Sequence, residues 1–416
     1  MRIFKFGGAS VKDADGVKNV VRVLQTVGSD NTLVIVSAMG KMTNAFEDLI
    51  ENYIEKNTEL QLALTNIQEY HIAILNGLFK NTSHRIYNDI NLLIKEIGAF
   101  FRTNKSPDYN FIYDQVVSYA ELISSAILSA YLNEIGLTNQ LLDVRELIKT
   151  DNFYRRAKIN WDITQTTIID NLDINKLNVT QGFLGSDANN FTTTLGREGS
   201  DYTAAVFAFC LNAESVTIWK DVPGVLNADP RYFEKTQLLN KISYREAIEL
   251  AFYGASVIHP KTLQPLQRKE IPLYVKSFIN PEAAGTCVTK GIGLEPNVPC
   301  FIVKKNQVLI SLSTLDFSFI VEENISEIFN LLHLYKMKVD VIQNSAISFS
   351  VCIDNNYNNL KKLLHHLKAK FKVTCDDNVS LYTIRHYNAN AIKSIEKGKN
   401  VLLKQLYQET VQIVTK

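Results

Sequence analysis

The order of apolar and polar positions predicts strands that alternate with helices over roughly the first 290 residues. Residues 3–6 and 33–40 read as short apolar strands, and the second breaks at a glycine, as a buried parallel strand does at its carboxyl end. Helical periodicity fills 44–102 with polar interruptions and continues in a long helix over 112–136. This alternation predicts an α/β fold with a parallel-rich sheet between helix layers.

The pattern changes after about Gly291. A strand, a helix, two adjacent strands, a helix and a further strand follow one another, which is typical of a small ferredoxin-like α+β unit. The last stretch begins the same order of strands and helices again. We therefore predict a domain at 1–290 and a region at 291–416 that holds one unit at 307–375 and a second, divided or truncated unit formed by 297–306 with 376–416.

Composition narrows the functional class. The 416 residues include 44 Lys and Arg against 43 Asp and Glu, which gives a formal net charge of +1 and argues against nucleic acid as a partner. The five cysteines lack metal-ligand spacing and read as reduced thiols. The chain starts as a strand, and no apolar run reaches membrane-spanning length. We expect a cytoplasmic protein without a membrane partner.

The densest chemistry lies in "TTTLGREGSDYTAA", from Thr192 to Ala205. Ser200 or Asp201 is predicted at the N-cap of the helix that follows, where backbone N–H groups favour anions. Arg197 can bind a carboxylate through two parallel hydrogen bonds. A capped surface helix would not need this many hydroxyl and charged groups, so the stretch favours a ligand site.

Three further stretches carry weaker signals. Asp221 and Arg231 bracket a Pro-Gly turn that leaves a buried strand, at Lys220, on the side where open α/β sheets bind ligands. Glu121 lies within a predicted helix among small polar neighbours, although such a glutamate is usually solvated. Ser37 and Thr43 follow a strand, where an ordinary polar loop is the alternative.

The first strand raises a separate question, because its Lys5 is followed by Gly7 and Gly8. The stretch matches neither the P-loop nor the dinucleotide-binding pattern. Taken alone, it fits a tight strand-to-helix turn with a solvated lysine as well as a phosphate-binding turn.

Six stretches in this order resemble the aspartate kinases of the amino-acid kinase family: "KFGGAS", "SAMGKMTN", "SYAELISS", "GREGSD", "DVPGVLNADPR" and "GASVIHPKTL". The resemblance continues through "VKSFINPEAAGT" into the ligand-binding repeats called ACT domains. Each motif is weak or moderate alone, but the set in sequence is specific and covers nearly the whole chain.

The resemblance implies ATP with Mg²⁺ and L-aspartate as the reactants, with no metal ligand from the protein. It implies catalytic roles for Lys5 and Asp201, where Lys5 stabilises the transferring phosphoryl group and Asp201 orients the substrate and Lys5. The implied substrate-binding residues are Thr43, Glu121, Arg197 and Ser200. The implied nucleotide and phosphate contacts are Lys5, Gly7, Gly8, Ser37, Lys220, Asp221 and Arg231.

The sequence also departs from the family pattern. Glu198 stands where glycine is common and must point away from the substrate or be paired. Ser256 stands where a nucleotide-binding lysine is common, and Lys220 or Lys261 could replace its charge. In the tail, the usual glycine and acid of an effector site are replaced by Glu323 and Ala346, so Asp340 and Ser345 remain as possible effector contacts. We expect weak or absent inhibition by lysine.

Three functions stay open at this point. The first is an aspartate kinase that makes 4-phospho-L-aspartate for lysine, threonine and methionine synthesis. The second is a kinase of a related acid, glutamate or N-acetylglutamate. The third is a catalytically weak amino-acid sensor or regulatory subunit. In each case the small C-terminal units predict a homodimer through the ACT region, because such units bury too little surface alone.

Overall fold

A computed structural model describes residues 1–255, 258–291, 293–316, 318–354 and 359–416, and all structural statements below concern these residues. They divide into two compact units. The first holds 1–225, 238–248 and the described part of 257–293, and the second holds the rest. Residues 226–237 and 249–255 therefore group with the C-terminal tail, although the sequence pattern joined them to the N-terminal domain.

The first unit contains a mixed α/β arrangement. Its strands are β1 Arg2–Phe6, β2 Thr32–Val36, β3 Asn139–Leu142, β4 Leu177–Gln181, β5 Leu184–Ser186, β6 Thr192–Thr194, β7 Ser215–Lys220, β8 Lys241–Ser243, β9 Leu273–Ser277 and β10 Thr286–Thr289. Its helices are α1 Ala14–Val27, α2 Met42–Ile54, α3 Leu60–Leu78, α4 Arg85–Thr103, α5 Tyr109–Glu134, α6 Val144–Leu147, α7 Trp161–Asn171, α8 Gly199–Leu211 and α10 Pro260–Lys269. Helix α9, Tyr244–Tyr253, begins in this unit.

Eight of these strands form one sheet in the order β3-β4-β2-β1-β7-β9-β10-β8. All neighbours are parallel except β9 and β10, so the sheet is parallel-rich as the sequence predicts. Strand β2 is buried at every position. Trp219 of β7 stacks on Phe6 of β1 with ring centroids 6.0 Å apart, which joins the two central strands on one face.

Helix α5 is a largely buried helix that touches the carboxyl edge of this sheet. Its small polar side chains are satisfied by that edge: Ser124 Oγ donates to the carbonyl of Ser37 at 2.7 Å, and Gln181 Nε2 donates to Ser125 Oγ at 2.6 Å. A buried hydroxyl without a partner would cost stability, so these bonds fix the rotation of α5. Glu121 is thereby held toward the strand ends.

The loops that leave β1 and β2 pack directly on each other. A Cβ added to Gly8 would lie 2.7 Å from the carbonyl oxygen of Ala38, so only glycine fits there. The carbonyl of Gly8 accepts from the N–H of Gly40 at 3.0 Å. A glycine after β1 is therefore required by close backbone packing, whatever ligand it also contacts.

The second unit is built on an antiparallel sheet in the order β12-β13-β11-β14-β16-β15. Its strands are β11 Cys300–Thr314, β12 Lys338–Asn344, β13 Ser348–Asp354, β14 Phe371–Arg385, β15 Val401–Tyr407 and β16 Thr410–Thr415. Its helices are α11 Glu322–Leu334, α12 Leu360–Lys368 and α13 Ala389–Glu396. Strands β11 and β14 are 15 residues each and run through both halves of the sheet.

A bulge divides these two long strands. The pairing of β11 with β14 shifts register between Lys304 and Gln307. Beyond the bulge, even-numbered residues of β11 such as Ile310 pack with α11 and α12, whereas odd-numbered residues before it, such as Phe301, pack with α13. The extra residue therefore switches the alternation of side chains, so one strand can serve two separate cores.

None of the described helices combines the length and the apolar character that crossing a membrane requires.

Candidate functional site

A cavity of about 860 Å³ opens at the carboxyl ends of the central strands of the first unit. Eight of the residues singled out from sequence line it: Lys5, Ser37, Thr43, Glu121, Arg197, Ser200, Asp201 and Lys220. They come from β1, β7, α2, α5, α8 and the adjoining loops, so distant sequence motifs converge on one space. Its size suits small-molecule ligands.

The centre of the cavity is an ion pair between Lys5 and Asp201. Lys5 Nζ lies 2.6 Å from Asp201 Oδ1, and the two side chains are only 11% and 5% exposed. Lys5 is the fourth residue of the central strand β1, and Asp201 lies in the first turn of α8. A lysine held this way is not the solvated surface residue of the alternative reading, because its ammonium is fixed in one place.

Helix α8 presents its N-terminus to the same space. Its N-cap is Glu198, so the prediction of Ser200 or Asp201 at that position is wrong by two or three residues. Ser200 and Asp201 lie instead in the first turn and are buried. A Cβ on Gly182 would lie 2.4 Å from the Cβ of Ser200, so that glycine lets the helix start approach the end of β4. The N-terminal backbone groups of α8 thus face the cavity, where they favour anions.

Glu121 is the most unusual carboxylate of the site. It is 3% exposed, and its Oε2 atom has no hydrogen-bond partner among the described residues. Burial raises its pKa from an ordinary 4.5 to about 8, although hydrogen bonds from backbone N–H groups, including that of Ala38, oppose the shift. A buried acceptor that faces a cavity without a partner is suited to a cationic ligand group.

The remaining predicted nucleotide contacts are distributed differently. Gly7 and Gly8 directly follow β1, and a Cβ on Gly7 would lie 3.5 Å from Lys5 Nζ, but neither glycine lines the cavity. Asp221 is exposed just past β7 and does not line it either. Arg231 belongs to the second unit and forms an exposed pair with Asp229 at 2.6 Å.

The comparisons with known proteins agree with this geometry. Residues 1–277 match the model of the amino acid kinase family. Lysine-sensitive aspartokinase 3 of Escherichia coli K12 is 34% identical over 348 residues, which cover 82% of this chain and 75% of that protein. The chain therefore belongs to the aspartate kinases of the amino acid kinase family.

Two solved structures of E. coli aspartokinase III extend the likeness over the whole chain. The complex with lysine and aspartate is 29% identical with a TM-score of 0.84, and the match covers all of this chain and 95% of that chain. The complex with aspartate and ADP is 28% identical with a TM-score of 0.80 and is covered to 96%. The amino-acid kinase fold expected from the sequence is thus confirmed, together with the α+β tail.

Glu198 departs from the expectation that it points away from the aspartate kinase site or is paired. Its side chain lines the cavity, and its buried Oε2 atom has no hydrogen-bond partner among the described residues. Its backbone is left-handed, with φ at 54°. A carboxylate therefore stands beside Arg197 at a position that glycine would occupy without strain.

Ser256, which stands where the family commonly has a nucleotide-binding lysine, lies outside the described residues. Lys220 lines the cavity at the end of β7. Lys261 does not: its ammonium donates to the carbonyl of Leu195 at 3.0 Å and lies 4.4 Å from the ring centroid of Tyr202. Lys220 is therefore the better candidate for the replacement charge in this kinase.

Sequence reasoning missed a whole wall of the kinase cavity. The structure adds Asn110, Tyr113, Phe153, Tyr154, Arg155, Arg156 and Phe183. Most of them come from "NFYRRA" and from the first turns of α5, which are far from the recognised motifs. The available signal was two arginines beside two aromatic residues just before a helix, which alone is typical of an ordinary loop.

The two possible effector residues of this kinase do not lie together. Asp340 and Ser345 are five residues apart along an extended strand and its turn, which separates them by roughly 15 Å at about 3.3 Å per residue. Asp340 is buried and paired with Lys304, whose Nζ lies 2.8 Å from Oδ1. Ser345 is exposed in the turn that leads to β13. One small ligand would contact one of them, not both.

Proposed function

We propose that this aspartate kinase transfers the γ-phosphoryl group of ATP to the side-chain carboxylate of L-aspartate and yields 4-phospho-L-aspartate for lysine, threonine and methionine biosynthesis. The observation that carries the proposal is the buried Lys5–Asp201 pair in one cavity with the carboxylate of Glu121, whose Oε2 atom has no partner among the described residues. The E. coli relative, which was solved with aspartate and ADP, supports the same reactants.

The three charged groups of aspartate have matching partners in the cavity. Its ammonium faces Glu121, whose carboxylate has an open acceptor atom. Its α-carboxylate is bound by Arg197, with Thr43 and Ser200 as hydroxyl donors beside it. Its side-chain carboxylate then lies toward Lys5. Glutamate is one methylene longer, so the same three contacts would bring its carboxylate to a different point.

The chemical step requires positioning and charge stabilisation. One oxygen of the substrate side-chain carboxylate attacks the γ-phosphorus, and the bond from that phosphorus to the bridging oxygen of ADP breaks. The nucleophile is already ionised near neutral pH, so no strong base is required. Lys5 stabilises the negative charge on the transferring group, and Asp201 holds the ammonium of Lys5 in place. Ser37, Lys220 and the glycines after β1 contact the phosphates, and Asp221 contacts the nucleotide.

Asp201 and Glu121 have other roles in the cavity, so the metal ion is expected to be held by the nucleotide. Asp201 is already bound to Lys5, and Glu121 lies on the opposite, substrate-side helix. Mg²⁺ prefers phosphate oxygens and water to an all-protein cage, and when bound it supplies positive charge at the phosphates. ATP therefore brings Mg²⁺ into the site, and the protein adds no dedicated ligand.

The alternative functions receive no support. None of the relatives described above is a kinase of glutamate or N-acetylglutamate. A catalytically weak sensor would have no need of the buried Lys5–Asp201 pair, since such a pair is costly to keep away from water. Aspartate phosphorylation accounts both for the residues proposed to bind the amino acid and for the Lys5–Asp201 pair.

Regulation in this kinase should differ from that of its lysine-sensitive E. coli relative. The Oδ1 atom of Asp340 is paired with the ammonium of Lys304 at 2.8 Å and lies 3.7 Å from that of Lys338, while Oδ2 has no hydrogen-bond partner among the described residues. Two internal lysines thus already compensate the charge that a lysine effector would need. We propose that the second unit responds weakly or not at all to free lysine, and that an effector without a side-chain ammonium, such as threonine, remains possible.

The second unit also offers a surface for a second copy of the chain. Large apolar side chains are exposed on α11 and the segment before it, among them Phe319 at 70% and Leu334 at 66%. Strand β12 lies at an edge of the sheet and can pair with another strand. We propose a homodimer through this region.

The substrate is tested by ADP release with aspartate, glutamate and N-acetylglutamate as acceptors. ADP release is expected with aspartate and not with the other two acids. Equal or higher turnover with either of the other acids would contradict the proposal.

Lys5 is tested in the same assay. Lys5→Ala should lower kcat by about 10²–10³, because the charge on the transferring group loses its stabilising cation. Since Asp201 then lacks its partner, folding is checked by thermal unfolding, and Lys5→Arg is measured as a charge-preserving variant. The control is Lys18→Ala, an exposed lysine of α1. Near-normal kcat in a folded Lys5→Ala protein would disprove the catalytic role.

The raised pKa of Glu121 predicts how aspartate binding depends on pH. Below pH 8 the free enzyme carries Glu121 mainly protonated, and only the ionised form attracts an ammonium. The KM for aspartate should therefore fall as pH rises from about 7 to 8.5, because less proton release accompanies binding. In Glu121→Gln the KM should be higher and flat over this range. An identical pH profile in the variant would show that another group titrates.

The effector proposal is tested at sub-saturating aspartate with millimolar lysine, threonine or methionine added singly. Lysine is expected to inhibit weakly or not at all. Lys304→Ala, which removes the nearer of the two lysines from Asp340, should be more sensitive to lysine than the unaltered chain. Strong inhibition of the unaltered chain by lysine alone would refute this account of the second unit.

Assembly is tested by sedimentation velocity at micromolar concentration. The unaltered chain should sediment as a dimer, and Phe319→Asp combined with Leu334→Asp should shift it toward the monomer, because two charges then face the partner. Leu62→Asp, at an exposed leucine of α3 in the first unit, is the matched control. A monomeric unaltered chain is the result that would count against the proposal.

A further inference from the structure

Backbone strain is concentrated at the cavity. Three of its lining residues are not glycine and yet have left-handed backbones: Arg155 with φ at 67°, Phe183 at 73° and Glu198 at 54°. A left-handed conformation is unfavourable for residues with a Cβ and is kept where surrounding contacts or function require it. Arg155 is the one cation in this set, and the reaction proposed above leaves it without a role.

The backbone of Arg155 is fixed by a buried carboxylate of α5. Its N–H donates to Asp114 Oδ2 at 2.9 Å, and the same carboxylate accepts from the N–H and the hydroxyl of Thr194 at 2.8 and 2.7 Å. Asp114 is fully buried. A Cβ on Gly196 would lie 3.2 Å from the carbonyl oxygen of Arg155, so this loop also touches the segment that carries Arg197.

The guanidinium of Arg155 is held as firmly as its backbone. It lies 4.2 Å from the ring centroid of Tyr113 and 5.5 Å from that of Tyr109. The ring of Tyr113 is itself fixed, because its hydroxyl donates to Glu47 on α2 at 2.8 Å. Within the described parts of the chain, no carboxylate reaches ion-pair distance of this guanidinium. Stacking on aromatic rings orders an arginine but leaves its N–H donors available at the ring edge.

The position of Arg155 points to the amino-acid end of the cavity. Tyr113 and Glu121 are eight residues apart on α5, about two helical turns, and both line the cavity. Glu47 is one turn from Thr43 on α2. The groups that would contact phosphate, among them Lys5 and Lys220, lie at the ends of β1 and β7. Arg155 therefore stands on the wall made by α2 and α5, not at the strand ends.

We propose that Arg155 is a second arginine for the α-carboxylate of aspartate and acts together with Arg197. The inference rests on the proposed function. A carboxylate has about four acceptor positions and can bind two guanidinium groups at once. Arg197 is exposed and must be ordered when substrate binds, whereas Arg155 is already ordered by Tyr113. A preordered donor loses less side-chain entropy on binding, so it contributes more to affinity.

The test removes the side chain without straining the backbone. Arg155→Gly and Arg155→Asn both tolerate a left-handed φ and both lack the charge. Each should raise the KM for aspartate about tenfold or more, as expected for one lost charge-assisted hydrogen bond. The KM for ATP should stay within about twofold, and the melting temperature should not fall for Arg155→Gly. Arg155→Lys should show a smaller rise, because it keeps the charge but loses the planar fork.

Two control variants isolate the contact between Arg155 and aspartate. Lys158→Ala, an exposed lysine outside the cavity, should leave both constants unchanged. An unchanged KM for aspartate in both Arg155 variants, or a raised KM for ATP instead, would overturn the proposal. If Arg155 only neutralises Glu198, the double variant Arg155→Gly with Glu198→Gly would return to the unaltered KM, and that result would also overturn it.

The unaltered chain in the same assay distinguishes failure of the proposed function from failure of the role of Arg155. If the unaltered chain does not phosphorylate aspartate, the proposed function fails. If it does and the Arg155 variants bind aspartate normally, only the role of Arg155 fails.

Discussion

Burying a carboxylate costs several kcal/mol unless protein groups compensate for the lost water, and the first unit depends on how it meets that constraint. Asp114 is compensated by three donors from Arg155 and Thr194. Asp201 is compensated by the ammonium of Lys5 at 2.6 Å. Glu121 is compensated only in part, and burial raises its pKa to about 8. Two of the carboxylates therefore build the cavity, and the third leaves a place in it for a cation.

The same constraint explains why α5 organises the site. A helix buried on nearly all sides is usually apolar, but α5 carries Asp114, Glu121 and several serines in its buried surface. Asp114, Ser124 and Ser125 each have a partner on a neighbouring element, so the helix fixes the ends of β2 and β4 and the loop at Arg155 together. Disruption of one partner would shift the others, since buried polar groups act as a connected network.

The sequence was sufficient to predict the parts of the site that lie within short motifs at strand ends. Arg197 and Asp201 could be found because they crowd with hydroxyl groups at the start of a helix, whereas Lys5 and Ser37 were assigned only through the resemblance to the aspartate kinases. Arg155 could not be found in this way. Its role depends on Tyr113 and Asp114, some 40 residues earlier in the chain, and only tertiary packing brings them together. The N-cap of α8 could not be predicted for a related reason. Residue propensities favour Ser200 or Asp201 at an N-cap, whereas the structure has Glu198 there in a left-handed conformation.

The tail shows a different limit of sequence patterns. The order of strands and helices in the second unit can be predicted from the sequence, but the bulge between Lys304 and Gln307 cannot. A bulge shifts the alternation of apolar and polar residues by one position, and in the sequence such a shift looks like an irregular strand.

That bulge has a consequence for Asp340. The register of β12 also shifts beside it, between Val339 and Val341, and Lys304 reaches its carboxylate from β11. The side chain of Asp340 is 7% exposed and its Oδ1 atom is already paired with Lys304, so an approaching ammonium would meet a carboxylate whose charge a tethered lysine already compensates. An intramolecular partner has no translational entropy to lose, whereas a free amino acid does. At equal contact energy the internal lysine is therefore favoured, and the proposed weak response to lysine requires no change at the catalytic cavity.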